Sequence, residues 1–284
     1  MTNPLIAARD AFADAMPETR ASFGGREWGY IDTAEGDEAL ILIPGTLGRG
    51  DIFWQQIEAL RARLRIVALT YPASGGVSEW ADDLAALMDR LGIARASVLG
   101  SSLGGYLVQY FAAVHPGRVV RVFAANTMSS TAGYETRMPY ALDLDAVLVE
   151  ELRAGFEQGL SAWGVSHPEQ ADLVELLLGE VGGRIPEPEL RTRLKALKSA
   201  PELPEVTLPR AARITIEADD DPLIPPEKRA GLREKLAPGV AYRFATGGHF
   251  PYVARPQTYT ALLEQAMGLE VTGPDWGTQE ERVL

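Results

Sequence analysis

A serine between two glycines is the first feature of the chain that could do chemistry. Residues 100–104 (GSSLG) fit the pattern G-x-S-x-G, directly after an apolar run and directly before a segment with helical spacing. A sharp strand-to-helix turn exposes such a serine, and glycines two residues away on either side avoid collisions. The helix N-terminus also favours negative charge there. The pattern predicts Ser102 as a nucleophile. The alternatives are a plain turn with a serine cap, or Ser101 as the reactive hydroxyl.

A serine hydroxyl is a poor nucleophile until a base takes its proton. The chain has three histidines. His115 and His167 each precede a proline, at or near predicted helix ends, and both have structural explanations. His249 lies in a glycine-marked loop, residues 247–250 (GGHF), after the last predicted strand. Open α/β sheets place their sites at such strand ends. His249 is therefore the predicted base, with an ordinary surface-loop histidine as the alternative.

A third group should hold the imidazole in its useful tautomer and stabilise the imidazolium. Three adjacent aspartates, residues 219–221, follow the predicted strand 213–218. The chain order serine, aspartate, histidine is the order found in α/β-hydrolases. Chemistry alone does not choose among the three aspartates. Two of them are expected only to form an acidic turn that caps the following helix.

Acyl transfer also needs N–H donors for the oxyanion that develops on the substrate. Leu103, directly after the nucleophile, is predicted to supply one. The loop after the apolar run 39–44 is predicted to supply the other, with Thr46 as the candidate and Leu47 as the alternative. The glycine-rich stretch 45–50 is not a phosphate loop, since no Gly-Lys-Ser/Thr follows it.

The elements that must position these residues alternate along the chain. Short runs typical of strands, of which the first (ALILIP) is continuously apolar, alternate with helical spacing and short connections, which indicates βαβ units. These runs are residues 39–44, 65–71, 96–100, 119–125, 213–218 and 240–245. The predicted fold class is α/β, with a mostly parallel central sheet and helices on both faces.

The alternation stops near Asn126. Residues 129–207 contain helical segments but no strand-like run, and are predicted to be a helical cap insertion that lids the site. Residues 1–128 and 208–284 form the predicted core. Within the insertion, Phe156, Leu160 and Trp163 could line an apolar pocket, although packing within the cap itself is the favoured interpretation. The polar tail from about residue 271 is expected to be loosely ordered, with docking to the core through Trp276 as the alternative.

Composition excludes several classes of function. The chain has 284 residues, a formal net charge of −12 and no cysteine. An acidic surface disfavours nucleic acid and membrane surfaces as partners, and the absence of cysteine excludes disulfides and thiolate chemistry. Early charges and the lack of a long apolar run indicate neither a signal peptide nor a membrane span, so a cytoplasmic protein is expected. A small-molecule substrate is expected, with no cofactor and no metal.

Taken together, these motifs resemble those of α/β-hydrolases over nearly the whole chain. Residues 100–105 (GSSLGG), 221–225 (DPLIP) and 248–251 (GHFP) carry the resemblance. In that family the acid usually stands just before an x-x-Ile/Val-Pro ending, which implies Asp221 rather than its neighbours. The resemblance implies a serine hydrolase with Ser102, Asp221 and His249 as its triad, acting on an ester, thioester or amide.

Four further segments are similar to maspardin-like proteins within that family. They are residues 50–56 (GDIFWQQ), 66–72 (IVALTYP), 102–109 (SLGGYLVQ) and 246–252 (TGGHFPY). Maspardin is regarded largely as a binding protein, and its position matching His249 is not a histidine. This resemblance implies a non-catalytic binding protein as the second hypothesis. Carbon–carbon bond hydrolysis or perhydrolysis on the same triad is the third.

Overall fold

A computed structural model describes residues 2–284 of the protein. Within these residues, nine strands form one sheet: β1 (Thr19–Phe23), β2 (Arg26–Asp32), β3 (Ala39–Ile43), β4 (Arg65–Thr70), β5 (Ala96–Ser101), β6 (Val119–Ala125), β7 (Arg213–Ala218), β8 (Val240–Phe244) and β9 (Glu281–Val283). Their order in the sheet is β1-β2-β4-β3-β5-β6-β7-β8-β9. β2 is antiparallel to β1 and to β4, and all other pairs are parallel. The predicted fold class is confirmed.

The described part of the chain also contains ten α-helices: α1 (Pro4–Ala15), α2 (Trp54–Leu60), α3 (Val77–Arg90), α4 (Leu103–Val114), α5 (Val149–Ser166), α6 (Ala171–Gly179), α7 (Glu187–Lys198), α8 (Pro226–Leu236), α9 (Pro251–Ala254) and α10 (Pro256–Met267). A π-helical turn, Glu180–Arg184, follows α6. Within residues 2–284, every helix is too short or too polar to span a lipid bilayer.

The sheet is buried on both faces because its central strands are mainly apolar, and β3 is apolar at every position. In β3, Leu40 and Leu42 belong to the core on one side of the sheet, whereas Ile41 and Ile43 belong to the core on the other. Side chains alternate along a strand, so a strand covered on both faces needs an unbroken apolar run. This is why the apolar runs in the sequence correctly predicted the strands.

The segment between β6 and β7 contains α5, α6 and α7, and these two strands are neighbours in the sheet. Burial differs along it. In α7, six side chains are buried, among them Leu190, Arg193 and Leu194, whereas Leu152 is the one fully buried residue of the longer helix α5. The division of the chain into a core and a cap at residues 129–207 stays a prediction.

The C-terminal tail differs from its expectation. Instead of being loosely ordered, it ends in β9, which pairs with β8 at the edge of the sheet. Trp276 packs edge-on against Tyr242, with ring centroids 6.4 Å apart, and Arg210 forms an ion pair with Glu280. The favoured expectation was therefore wrong and the alternative, docking through Trp276, is what the structure shows, because an apolar surface of the core receives this side chain.

Candidate active site

Ser102 lies at the sharp turn between β5 and α4. Its backbone has φ 55° and ψ −116°, a conformation that L-residues seldom adopt and that persists only where the surroundings enforce it. Three hydrogen bonds do so. The Ser102 N–H donates to the Ala125 carbonyl (2.9 Å), and its carbonyl accepts from the Tyr106 N–H (3.0 Å) and the Thr127 hydroxyl (2.7 Å). The strained turn is therefore held by β6 and by the first turn of α4.

Glycines around this turn allow backbone segments to approach closely. A Cβ on Gly100 would overlap the Gly104 backbone, and one on Gly104 would overlap the Ile43 carbonyl. A Cβ on Gly45 would lie 3.0 Å from the Ser102 Cβ. The loop after β3 thus runs directly beside the serine.

His249 and Asp221 are in direct contact. His249 Nδ1 lies 3.0 Å from Asp221 Oδ1 and 2.9 Å from Oδ2, and both side chains are almost fully buried. The contact joins the loops that follow β7 and β8, at the sheet edge where Ser102 also lies. The Ser102 hydroxyl and His249 are not hydrogen-bonded to each other. In enzymes such a contact often tightens only when substrate is bound.

Asp221 is held as a carboxylate. Burial raises the pKa of Asp221, but His249, the Asn126 side chain and the Leu223 N–H outweigh it and leave the pKa below its usual range. Its Oδ1 also accepts hydrogen bonds from the Leu223 N–H (2.8 Å) and the Ile224 N–H (3.1 Å). An ionised carboxylate at this position stabilises positive charge on the neighbouring imidazole.

Asn126 is a member of the site that sequence reasoning missed. It directly follows β6, with φ 43°, and its Nδ2 donates to Asp221 Oδ2 (2.9 Å) and to the Gly248 carbonyl (3.3 Å). Asparagine tolerates this left-handed conformation better than most residues. The available signal was its position, because polar residues at carboxyl ends of parallel strands gather at one edge.

The two other aspartates have separate contacts. Asp220 accepts hydrogen bonds from the Gly247 N–H (3.0 Å) and the Gly248 N–H (2.8 Å), and so anchors the loop that carries His249. Asp219 forms an exposed ion pair with Arg243, at 2.9 Å. The expectation that both only cap the next helix was wrong, because α8 has no side-chain cap.

The predicted oxyanion donors are Thr46 or Leu47, in the loop whose Gly45 lies beside the serine, and Leu103, which directly follows the serine. Thr46 and Leu47 are buried, and within residues 2–284 neither of their N–H groups donates a hydrogen bond to a protein acceptor. Leu103 begins α4, where the first N–H groups of a helix have no partner inside the helix. The Gly48 N–H donates to the Gly45 carbonyl at 3.2 Å, which closes the loop into a turn.

The other two histidines have structural partners. His115 Nε2 contacts Asp82 at 2.9 Å, and His167 stacks on Trp163 with ring centroids 3.5 Å apart. Trp163 in turn lies against the histidine loop, since a Cβ on Gly248 would be 3.1 Å from its Cζ2. Phe156 and Leu160 are partly buried against the main core.

No group of three or more His, Cys, Asp or Glu side chains with metal-binding geometry occurs within residues 2–284. The charged and polar groups at the site instead form one connected set: the acid, the imidazole, and the side chains that hold their loops. This arrangement can orient the imidazole and stabilise positive charge on it.

Comparison with known proteins identifies relatives on the same fold. A family model described as "alpha/beta hydrolase fold" matches residues 38–185. Maspardin of Danio rerio is 25% identical over 222 residues, which cover 76% of this chain and 70% of that protein. Maspardin of Homo sapiens is 27% identical over 223 residues, with the same coverage. The putative carbamate hydrolase RutD of Caulobacter sp. (strain K31) is 25% identical over 250 residues, covering 80% of this chain and 90% of RutD.

Solved structures show the same architecture. The enol-lactonase of Burkholderia xenovorans LB400 superposes with a TM-score of 0.75 at 18% identity, covering 88% of this chain and all (100%) of the lactonase. A thermophilic esterase of Thermogutta terrifontis gives a TM-score of 0.73 at 18% identity, covering 88% of this chain and 98% of the esterase. The family match, the relatives and the observed sheet agree, and the chain therefore belongs to the α/β hydrolase family.

Proposed function

We propose that the protein is a serine hydrolase that cleaves a carboxylic ester, or a thioester or amide, through an acyl-enzyme on Ser102. One observation carries the proposal. A serine in a strained turn stands at the same sheet edge as a buried histidine that contacts an ionised aspartate. Strain at such a turn, together with a base and its orienting acid, is the combination that nucleophilic acyl transfer needs.

In the proposed reaction, Ser102 Oγ attacks the substrate carbonyl carbon while His249 Nε2 takes the hydroxyl proton. The carbonyl electrons move to oxygen, and the N–H groups of Leu103 and of Thr46, or alternatively Leu47, stabilise that oxyanion. The tetrahedral intermediate collapses, and the leaving alcohol, thiol or amine receives the proton from His249. Water then attacks the acyl-enzyme with His249 again as base, which releases the acid and regenerates Ser102.

The relatives bear on the substrate and on the alternative. RutD is named as a putative carbamate hydrolase, and a carbamate carbonyl can be attacked by the same route, so carbamates belong in the substrate panel with esters. The maspardin relatives keep a non-catalytic binding protein as the competing function.

The insertion is proposed to shape the substrate side of the site. Trp163 of α5 contacts the loop that carries His249, at Gly248. α5 exposes most of its residues, whereas one partly buried face carries Phe156, Leu160 and Trp163. A helix with few buried contacts opens more easily than the core does. We infer that α5 admits substrate and that its aromatic face covers the acyl carbonyl afterwards.

A fluorophosphonate probe tests the proposed function without knowledge of the substrate. Wild-type protein should be labelled, and both Ser102→Ala and His249→Ala should lose labelling. Ser101→Ala and His115→Ala are the matched controls and should be labelled like wild type. A folded wild-type protein that resists labelling would favour the binding-protein alternative. Labelling that survives Ser102→Ala would show that another residue is the nucleophile.

A further inference from the structure

A buried arginine from α7 holds the loop that follows β3. The Arg193 side chain is 0% exposed, and its Nη1 donates to the carbonyls of Thr46 (2.9 Å) and Gly48 (2.8 Å). Its Nη2 donates to Glu189 at 3.0 Å, and its guanidinium lies over the Tyr71 ring, 5.2 Å from the centroid. The two contacts with the loop leave no local signal in the sequence, because 145 residues or more separate Arg193 from Thr46 and Gly48.

These contacts set the direction of the loop amides. In a planar trans peptide the carbonyl of one residue and the N–H of the next point in opposite directions. When Arg193 binds the Thr46 carbonyl on one side, the Leu47 N–H is directed to the other side. The Tyr71 hydroxyl binds the Pro44 carbonyl at 2.8 Å and orients the Gly45 N–H in the same way. Arg193 and Tyr71 therefore bind backbone carbonyls of this loop, and each fixes the direction of the N–H group in the same peptide.

The charge of Arg193 is compensated within the fold. Burial lowers the pKa of Arg193 to about 10, so the side chain remains charged at neutral pH. Glu189 supplies the counter-charge and also pairs with Arg20 at 3.2 Å. A buried ion pair gives little net stability, since removing both charges from water offsets their attraction. We therefore attribute to Arg193 mainly the orientation of the loop carbonyls, and not a gain in stability.

We infer that Arg193 is a positioning residue for the oxyanion hole, because it holds the peptide that carries the Leu47 N–H, the alternative donor. On this inference α7 is a fixed part of the active site and only α5 serves as a lid. The inference rests on the proposed function, because the loop matters for catalysis only if an oxyanion forms beside Ser102. It adds a residue of the insertion to the machinery that the core otherwise supplies.

Arg193→Met tests the inference, with Arg191→Met as the matched control. Arg191 lies on the same helix and also donates to a backbone carbonyl, that of Leu144 (2.7 Å), but this carbonyl belongs to the insertion. The measurement is fluorophosphonate labelling over a range of probe concentrations, normalised to folded protein. For Arg193→Met the maximal labelling rate should fall about 10- to 100-fold with little change in half-saturating concentration, because the transition state loses an aligned donor. Arg191→Met should label at the wild-type rate.

A second variant and a second measurement keep the test decisive. Arg193→Lys serves if Arg193→Met fails to fold. Lysine retains the charge but lacks the planar guanidinium with its several N–H donors, so the maximal labelling rate should fall by a smaller factor. Hydrogen exchange of residues 44–50 should be faster in the Arg193 variants than in Arg191→Met. Wild-type labelling rates in the Arg193 variants, together with unchanged exchange, would overturn the inference.

Failure of the proposed function gives a different result. In that case the wild-type protein itself is not labelled, whereas hydrogen exchange needs no activity. Faster exchange of residues 44–50 in the Arg193 variants would then still support the anchoring of the loop, and equal exchange would overturn it.

Discussion

The turn at Ser102 and the loop at His249 occupy the same edge of the sheet but are held in different ways. Two backbone hydrogen bonds and close approaches at glycine, together with the Thr127 hydroxyl, hold Ser102. Side chains from two other strand ends hold the histidine loop, chiefly Asp220 and Asn126. A backbone-built turn cannot change without disturbing the fold, whereas a side-chain-anchored loop can lose an anchor and keep the fold. Substitutions that distort the backbone of the turn at Ser102 should therefore cost stability. Substitutions that remove an anchor of the histidine loop should cost activity.

The largest effect is expected for Asp221→Asn, which changes the side chain that contacts His249. The amide keeps the size of the carboxylate but removes the charge that stabilises the imidazolium and favours the wrong tautomer. Turnover of an ester substrate should fall about 10⁴-fold. The melting temperature should change little. A loss of less than tenfold would show that Asp221 does not orient the base.

Gly100→Ala should have the next largest effect, a loss of stability at the turn that carries Ser102. The added Cβ would overlap the Gly104 backbone, which cannot move without separating β5 from α4. We expect a loss of about 4 kcal/mol or more in unfolding free energy, measured by denaturant titration, or no folded protein at all. Gly155→Ala is the control, since a Cβ there meets no atom within 4 Å and α5 should be stabilised. Wild-type stability in Gly100→Ala would refute the backbone account of the turn.

Asn126→Gly should reduce activity without unfolding the protein. Glycine accepts the positive φ of this position, so the change removes the hydrogen bonds to Asp221 and Gly248 without adding backbone strain. A hydrogen bond to a charged group contributes about 1.5 to 3 kcal/mol, so kcat should fall roughly 10- to 100-fold. Asn126→Ala should lose the same activity but also lose stability, because alanine is strained at the positive φ of this position. Equal stability of Asn126→Gly and Asn126→Ala would argue against backbone strain at position 126.

The smallest effect is expected for Asp220→Ala, with Asp219→Ala as its control. Loss of the two bonds to the Gly247 and Gly248 N–H groups should loosen the histidine loop and lower kcat about fivefold. Asp219 is adjacent and of the same type, but its carboxylate pairs with exposed Arg243, so its removal should leave kcat within about twofold. An equal fall in kcat for Asp220→Ala and Asp219→Ala would show that Asp220 does not hold the histidine loop in a way that matters for activity.

Local pattern in the sequence determined much of the fold and one part of the candidate site. Mainly apolar runs predicted the central strands, because burial on both faces favours apolar side chains at consecutive positions. The turn at Ser102 was visible because strand, glycines and helix follow one another within a few residues, and their steric needs restrict residue type. His249 and the aspartates could be placed at strand ends, but chemistry alone did not choose among residues 219–221.

Tertiary structure decided the contacts between distant segments. It brought Asp221, rather than its two neighbours, against His249, and it gave Asn126, Asp220 and Arg193 their partners. It also paired the C-terminal tail with β8. Such contacts leave no periodic signal in the chain, because one polar side chain can reach a distant loop from any element that happens to pass nearby. Only the arrangement of the whole sheet and its insertion determines which of them meet.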